Sequence, residues 1–230
     1  PTVMVTNCSL PYMAEMIEQE GYTKKMDFVQ YKVSTPSEVP VLYERASQRP
    51  QRNGYSLVEF TKRKQLKNYI RPVLGLTNET YTDIFGYVPF SEEEMDDFAK
   101  RYIPILDPEF IKVIEDTNKQ VVAYVIGMPN ISEGIRNAKG RLFPFGFIHI
   151  LRSMKKSNQL DLLLGAVKKD LRNIGLAAML AKAMLNAAKK RELEFIDSHV
   201  VMETNTKMRA EVEKLGGKVY KRYRIFQKDL

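Results

Sequence analysis

The sequence predicts an α/β protein, and three stretches carry that reading. Leu160 to Arg191 reads as a strand, a short basic turn and a helix. Phe195 to Lys228 reads as a strand, a helix and a second, aromatic strand. Phe110 to Glu115 and Gln120 to Met128 read as two strands joined by Asp116-Thr117-Asn118-Lys119, whose residues suit a hairpin tip. Strands interleaved with helical periodicity point to a sheet covered by helices.

The elements follow in order. Pro1 to Thr6 is strand-like, Leu10 to Glu20 helical, and Tyr22 to Val33 alternates as a strand after Gly21. Ser34 to Arg52 carries Pro36, Pro40 and Pro50 and reads as a connector with one short helix. Tyr55 to Phe60 alternates as a strand, and Lys62 to Thr80 has helical spacing. Ser91 to Tyr102 is a helix with Ser91 as N-cap and Glu94 completing a capping box. The apolar run Leu142 to Leu151, bracketed by Arg141 and Arg152, is too short to span a bilayer. A core helix is its first reading, a wall for an acyl chain or acceptor its second, and a patch lying on a membrane surface its third. Within the helix from Ile174 to Arg191, Leu176, Leu180, Ala183, Met184 and Ala187 form a stripe that any function would bury.

Composition narrows the chemistry. The 230 residues suffice for one large domain, or one domain and a fragment. One cysteine, Cys8, excludes an intrachain disulfide framework. With two histidines besides, no dedicated zinc site is expected. The chain opens without a basic-then-apolar leader, so a cytoplasmic location is expected. The net charge of +8 invites an anionic partner, yet the basic pairs are scattered along the chain, which argues against nucleic acid.

The junction Arg172-Asn173-Ile174-Gly175-Leu176-Ala177 fits Arg/Gln-x-x-Gly-x-Gly/Ala, directly after the strand Leu160 to Val167 and its basic turn Lys168 to Asn173. A helix N-terminus with small residues in its first turn presents free N–H groups and the positive dipole end to an anion. On these residues the chain resembles the GNAT (Gcn5-related) N-acyltransferase superfamily, across nearly all of residues 52–230. Tyr81 to Lys228 more closely resembles the C-terminal acyltransferase domain of longer bacterial GNAT-like proteins of unassigned substrate. Phe85-Gly86-Tyr87-Val88-Pro89, Pro104-Ile105-Leu106-Asp107-Pro108 and Gly140-Arg141-Leu142-Phe143-Pro144 carry that likeness.

The resemblance implies a central mixed, twisted sheet flanked by helices, and transfer of an acyl group from a CoA thioester directly to an acceptor amine. It implies that main-chain N–H groups of Leu164, Gly165, Ala166 and Val167 receive the thioester carbonyl. The CoA pyrophosphate would meet Arg172, Asn173, Ile174, Gly175, Leu176 and Ala177, with Lys168 and Lys169 in reach of a phosphate and Asn205 near the pantetheine arm. The co-substrate is acetyl-CoA or another acyl-CoA, acetyl by family frequency, and no metal is required. Relatives often place a proton-donating tyrosine seven residues after the asparagine. Val212 stands there instead. Tyr220 and Tyr223 are the candidate replacements, and Glu203 the candidate base for the amine proton or, alternatively, a helix cap. His199 reads as a satisfied core histidine. A CoA-binding or interaction module without chemistry, and an aminoacyl-RNA-dependent transferase, remain alternatives.

The beginning of the chain also resembles its own end: Met13, Ile17, Glu18 and Gly21 match Met208, Val212, Glu213 and Gly216 at a constant offset. Residues 1–33 are therefore expected to close a preceding GNAT-like repeat, with 34–51 a connector and 52–230 the acyltransferase domain.

Overall fold

A computed structural model describes residues 9–141 and 145–229. In chain order the elements are α1 (Tyr12–Gln19), β1 (Thr23–Ser34), α2 (Val41–Arg52), β2 (Ser56–Glu59), α3 (Arg63–Leu66) and α4 (Ile70–Thr80). Next come α5 (Glu92–Tyr102), β3 (Ile111–Glu115), β4 (Val121–Pro129), α6 (Ser132–Asn137) and α7 (Gly146–Lys156). The chain then runs through β5 (Gln159–Val167), α8 (Leu176–Lys190), β6 (Phe195–Met202), α9 (Thr206–Lys214) and β7 (Lys218–Gln227). Short 3₁₀ turns precede β3 and follow β5. The strands form a seven-stranded sheet in the order β2-β3-β4-β5-β6-β1-β7. It is mixed: β5 and β6 are parallel, while β1 runs antiparallel to both β6 and β7.

The contacts divide the chain into two compact units. One unit comprises 35–128 and 162–193. Here α8 lays Leu176, Met179 and Leu180 against Ile114, Val122 and Ala123 of the β3–β4 hairpin. A second cluster joins Phe60, Leu66, Val73, Leu76, Val113 and Tyr124, with Leu163, Leu164 and Ala166 of β5 packed on it. The hairpin tip forms because the Asp116 carboxylate accepts from the N–H groups of Asn118 and Gln120, at 2.8 and 2.9 Å, while Lys119 takes a φ of 62°. At the start of α5, the expected capping box is present, Ser91 and Glu94 each accepting the other's N–H.

Two expectations change in this unit. The single helix over Lys62–Thr80 is broken into α3 and α4, because Pro72 would clash inside a continuous helix and is accommodated in the first turn of α4. The connector is largely helix: α2 runs twelve residues with Pro50 in its last turn, burying Tyr43 and Ser47.

The other unit comprises the described parts of 1–34, 129–161 and 194–230. Its inner strand is β1, with Val29, Gln30 and Tyr31 at most 1% exposed between β6 and β7. The Tyr31 hydroxyl donates to Glu213 at 2.6 Å and accepts from Arg209 at 3.0 Å, tying β1 to α9. In α7, Ile150 and Met154 are buried while Phe147, Leu151 and the preceding Phe145 remain exposed, so one face of the apolar run is core; Leu142 to Pro144 lie outside the described residues. Likewise, the strand expected over Pro1 to Thr6 lies outside them.

Candidate active site

The predicted cofactor segment lies in the first unit. The Lys168 N–H donates to Val122 O, and at the far end the Asn130 N–H donates to Gln159 O. From Val122 to Asn130 the chain advances eight residues and from Gln159 to Lys168 nine, so β5 carries one extra residue, a β-bulge. Within this bulged strand Gly165 is exposed. Its N–H donates to the Tyr81 hydroxyl at 3.2 Å, and that hydroxyl donates to the Gly165 carbonyl at 2.9 Å. A side chain at the C-terminal end of α4 thus takes the place a neighbouring strand would hold.

After β5 the chain turns sharply. Asn173 and Gly175 have φ of 72° and 105°, the left-handed region, before α8 begins at Leu176. Arg172, Asn173 and Ala177 are exposed, whereas Leu176 is 1% exposed and Ile174 and Val167 pack on the core. Of the predicted residues, Ile174, Leu176 and Val167 can therefore offer a ligand main chain only. Lys169 is committed to Thr82 and Asp83, both at 2.9 Å, while Lys168 keeps its side chain half-buried.

Packing within the chain is enough to require glycine at 175. In the fold, a β-carbon there would collide with the Ala46 carbonyl oxygen and lie 3.1 Å from the Pro50 ring. Helix α2 covers that side, and Arg172, Asn173 and Ala177 stay exposed.

The predicted catalytic residues lie in the second unit, around Asp197. Its carboxylate accepts from Gln30 at 2.6 Å, from the His199 N–H at 2.9 Å and from the Tyr220 hydroxyl. Tyr223 donates to the Gln30 side-chain oxygen at 2.8 Å. Burial, together with the Asp197 carboxylate, pushes the Tyr220 phenol well above the ordinary tyrosine range. Both tyrosines are thus hydrogen-bonded members of one network. Glu203 stands apart, 3.2 Å from Arg222 and 3.8 Å from Lys24. It does not cap α9: the Asn205 side chain does, accepting from the Met208 N–H at 3.2 Å. Val212 is buried against Gly217.

Across from Asp197 on β5 lies Asp161, 6% exposed, held by Asn130 and Gln159 at 2.6 and 2.7 Å. Burial raises its carboxyl to about 6 against these hydrogen bonds.

His199 departs from expectation. It has a φ of 60°, its Nδ1 accepts from the Val200 N–H at 2.7 Å, and its buried Nε2 has no partner. It is therefore not a satisfied core histidine. With Nδ1 accepting, the neutral ring carries its proton on Nε2 and offers a donor there. Burial lowers its pKa, favouring that neutral form. No sequence signal could reveal this, since the backbone angle is set by the irregular pairing of β6 with β1 at Gln30–Lys32.

A cavity of about 630 Å³ lies between α2, β2 and α8, lined by the ion pairs Lys112–Glu59 and Lys190–Glu109 and by Lys182, which pairs with Glu44. None of the predicted site residues lines it. Among the described residues no cluster of His, Cys, Asp and Glu could hold a metal ion, and no helix is long and apolar enough to cross a membrane.

No family model matches the chain. It is 27% identical over 230 residues to a bacterial ceramide synthase of Caulobacter vibrioides, covering 95% of this chain and 58% of that protein. It is 26% identical over 228 residues to protein YghO of Escherichia coli, covering 96% and 57%. The chain thus spans a little over half the length of these curated relatives. Among solved structures, a GCN5-related N-acetyltransferase from Sphaerobacter thermophilus superposes with a TM-score of 0.63 at 16% identity, over 96% of this chain and 57% of that one. A tandem GNAT protein from the clavulanic acid biosynthesis pathway gives 0.55 at 13%, over 98% and 60%. Together with the mixed sheet and its flanking helices, these likenesses establish that the chain has the GNAT fold.

Proposed function

We propose that the protein is an acyl-CoA-dependent N-acyltransferase. The observation that carries this reading is the bulged β5 with exposed main chain at Gly165, followed by the left-handed turn at Asn173 and Gly175 and the N-terminus of α8. Main-chain donors of Gly165 and its neighbours would polarise the thioester carbonyl as charge develops on its oxygen. The exposed N–H groups and the Arg172 guanidinium would hold the pyrophosphate. CoA supplies the activated acyl group when bound; the chain's own part is to orient it and to manage two protons. Glu203, Tyr220, Tyr223 and Asn205 keep their sequence-derived roles as proposals, each to be tested by substitution.

For the acyl group and acceptor, the Caulobacter relative supports a finer choice than acetyl: a fatty acyl group and a long-chain amino alcohol, joined as in a ceramide. The exposed Phe145, Phe147 and Leu151 suit such apolar chains. A reducing compartment is the proposed setting, given the single cysteine. The test is titration with acetyl-CoA, palmitoyl-CoA and free CoA, followed by amide formation with dihydrosphingosine.

A second reading is a CoA-binding module without chemistry. The burial of Val212 and the engagement of Tyr220 and Tyr223 in the Asp197 network favour it. Binding of acyl-CoA without amide formation from any amine would support that reading. We also propose, from the matched ends of the chain, that residues 1–33 close a preceding GNAT-like repeat whose final strand is β1.

A further inference from the structure

The Tyr81 hydroxyl lies on the main chain of the bulged strand, 3.2 Å from the Gly165 nitrogen and 2.9 Å from its carbonyl oxygen. We infer that Tyr81, in place of Tyr220 and Tyr223, which Asp197 and Gln30 engage, is the proton donor to the departing CoA thiolate, filling the role for which Val212 has no group; this rests on the acyl-CoA reading above. The phenol competes for the same N–H that would receive the thioester carbonyl. A thioester whose carbonyl took that N–H would have its sulfur, one bond from the carbonyl carbon, close to the Tyr81 oxygen.

The ring is well fixed for that task. Tyr81 caps α4, its N–H bonded to Thr77 O at 2.9 Å. Its ring meets Tyr87 edge-on, with centroids 5.4 Å apart. Desolvation by burial raises its pKa above the usual phenol value, so at neutral pH it holds a proton to give. The amine nitrogen bonds to the carbonyl carbon, the C–S bond breaks with its electron pair going to sulfur, and the Tyr81 O–H proton passes to that thiolate. The amine's surplus proton goes to solvent, through Glu203 if that residue is the base proposed above, and the phenolate recovers one from solvent, leaving an amide and free CoA.

The test uses the full chain with 3-fluorotyrosine incorporated at position 81, which keeps the shape but lowers the phenol pKa, alongside Tyr81→Phe. Saturating palmitoyl-CoA should shift the ¹⁹F resonance of the labelled protein. Thiol release from palmitoyl-CoA, with dihydrosphingosine or water as acceptor, should fall by at least about a hundredfold in kcat for Tyr81→Phe, with KM within about threefold. In the fluorotyrosine protein the alkaline limb of the pH–rate profile should move to lower pH, which a packing role would not produce. An unmoved ¹⁹F signal at saturating ligand, an unchanged kcat in Tyr81→Phe, or an unmoved alkaline limb each overturns the assignment while leaving acyl-CoA binding intact. Failure of the unsubstituted protein to bind any acyl-CoA overturns the acyltransferase reading, and this one with it.

Discussion

The carbonyl oxygen of Ala46 faces the α-carbon of Gly175. Pro50 has no N–H to bond the Ala46 carbonyl four residues back, so that oxygen is released from α2's own ladder. It points at the first turn of α8, where any β-carbon would strike it. Gly175 also holds a φ of 105°, which L-residues with side chains rarely adopt. Gly175→Ala should therefore destabilise the ligand-free protein by about 2–4 kcal/mol, combining left-handed strain with overpacking. Thermal unfolding without CoA measures this. An unchanged Tm would show that α2 yields and that the glycine serves the ligand side instead.

Residues 23–34 belong structurally to the sheet of the second unit. A chain beginning at Thr35 would strip both β6 and β7 of their shared partner and expose the space left by Val29, Tyr31 and Val33. Its loss should abolish cooperative unfolding of that unit, followed by near-ultraviolet circular dichroism in urea. Retention of native tertiary signals by the truncated chain would show β1 to be dispensable.

Asp161 gives the protein a pH signature. Its folded-state pKa of about 6 lies above the ordinary 3.8, so between those values the native state holds a proton that the unfolded chain has released. Stability should fall as pH rises from about 4 to about 6, by roughly 3 kcal/mol at most for two pKa units, and the penalty should persist above that window. Asp161→Asn should flatten this slope while leaving stability below pH 4 nearly unchanged. Urea unfolding at several pH values tests it, and a slope that survives the substitution assigns it to another group.

His199→Asn is expected to keep or raise stability, by up to about 1 kcal/mol. Asparagine tolerates a positive φ, can present an oxygen where Nδ1 accepts from the Val200 N–H, and removes the unpartnered Nε2. Chemical denaturation of this variant distinguishes the two roles. A loss above about 2 kcal/mol would make the imidazole a packing element rather than one held in strain.

Local chemistry made much of this fold legible. Ser91 and Glu94 announce the start of α5, and Asp116 to Lys119 the hairpin tip, because those signals act within a few residues. The Arg172–Ala177 turn was legible for the same reason, as a small-residue helix start after a strand. What escaped depends on partners far along the chain. Tyr81 and Gly165 are 84 residues apart, so nothing near either one marks the hydroxyl's placement. The reason for Gly175 lies in α2, a segment whose prolines read as a connector although Pro50 is tolerated in the helix's last turn. Tyr220 and Tyr223 stood out as spare phenols, yet Asp197 and Gln30 absorb both.

Calorimetric titration of the chain with palmitoyl-CoA, acetyl-CoA and free CoA decides whether the β5–α8 segment serves an acyl-CoA. Micromolar binding of the acyl thioesters, weakened by Arg172→Ala and strongest for palmitoyl-CoA, is the predicted result. Absence of heat from all three, with the protein folded, would contradict it and leave a GNAT fold that does not use CoA.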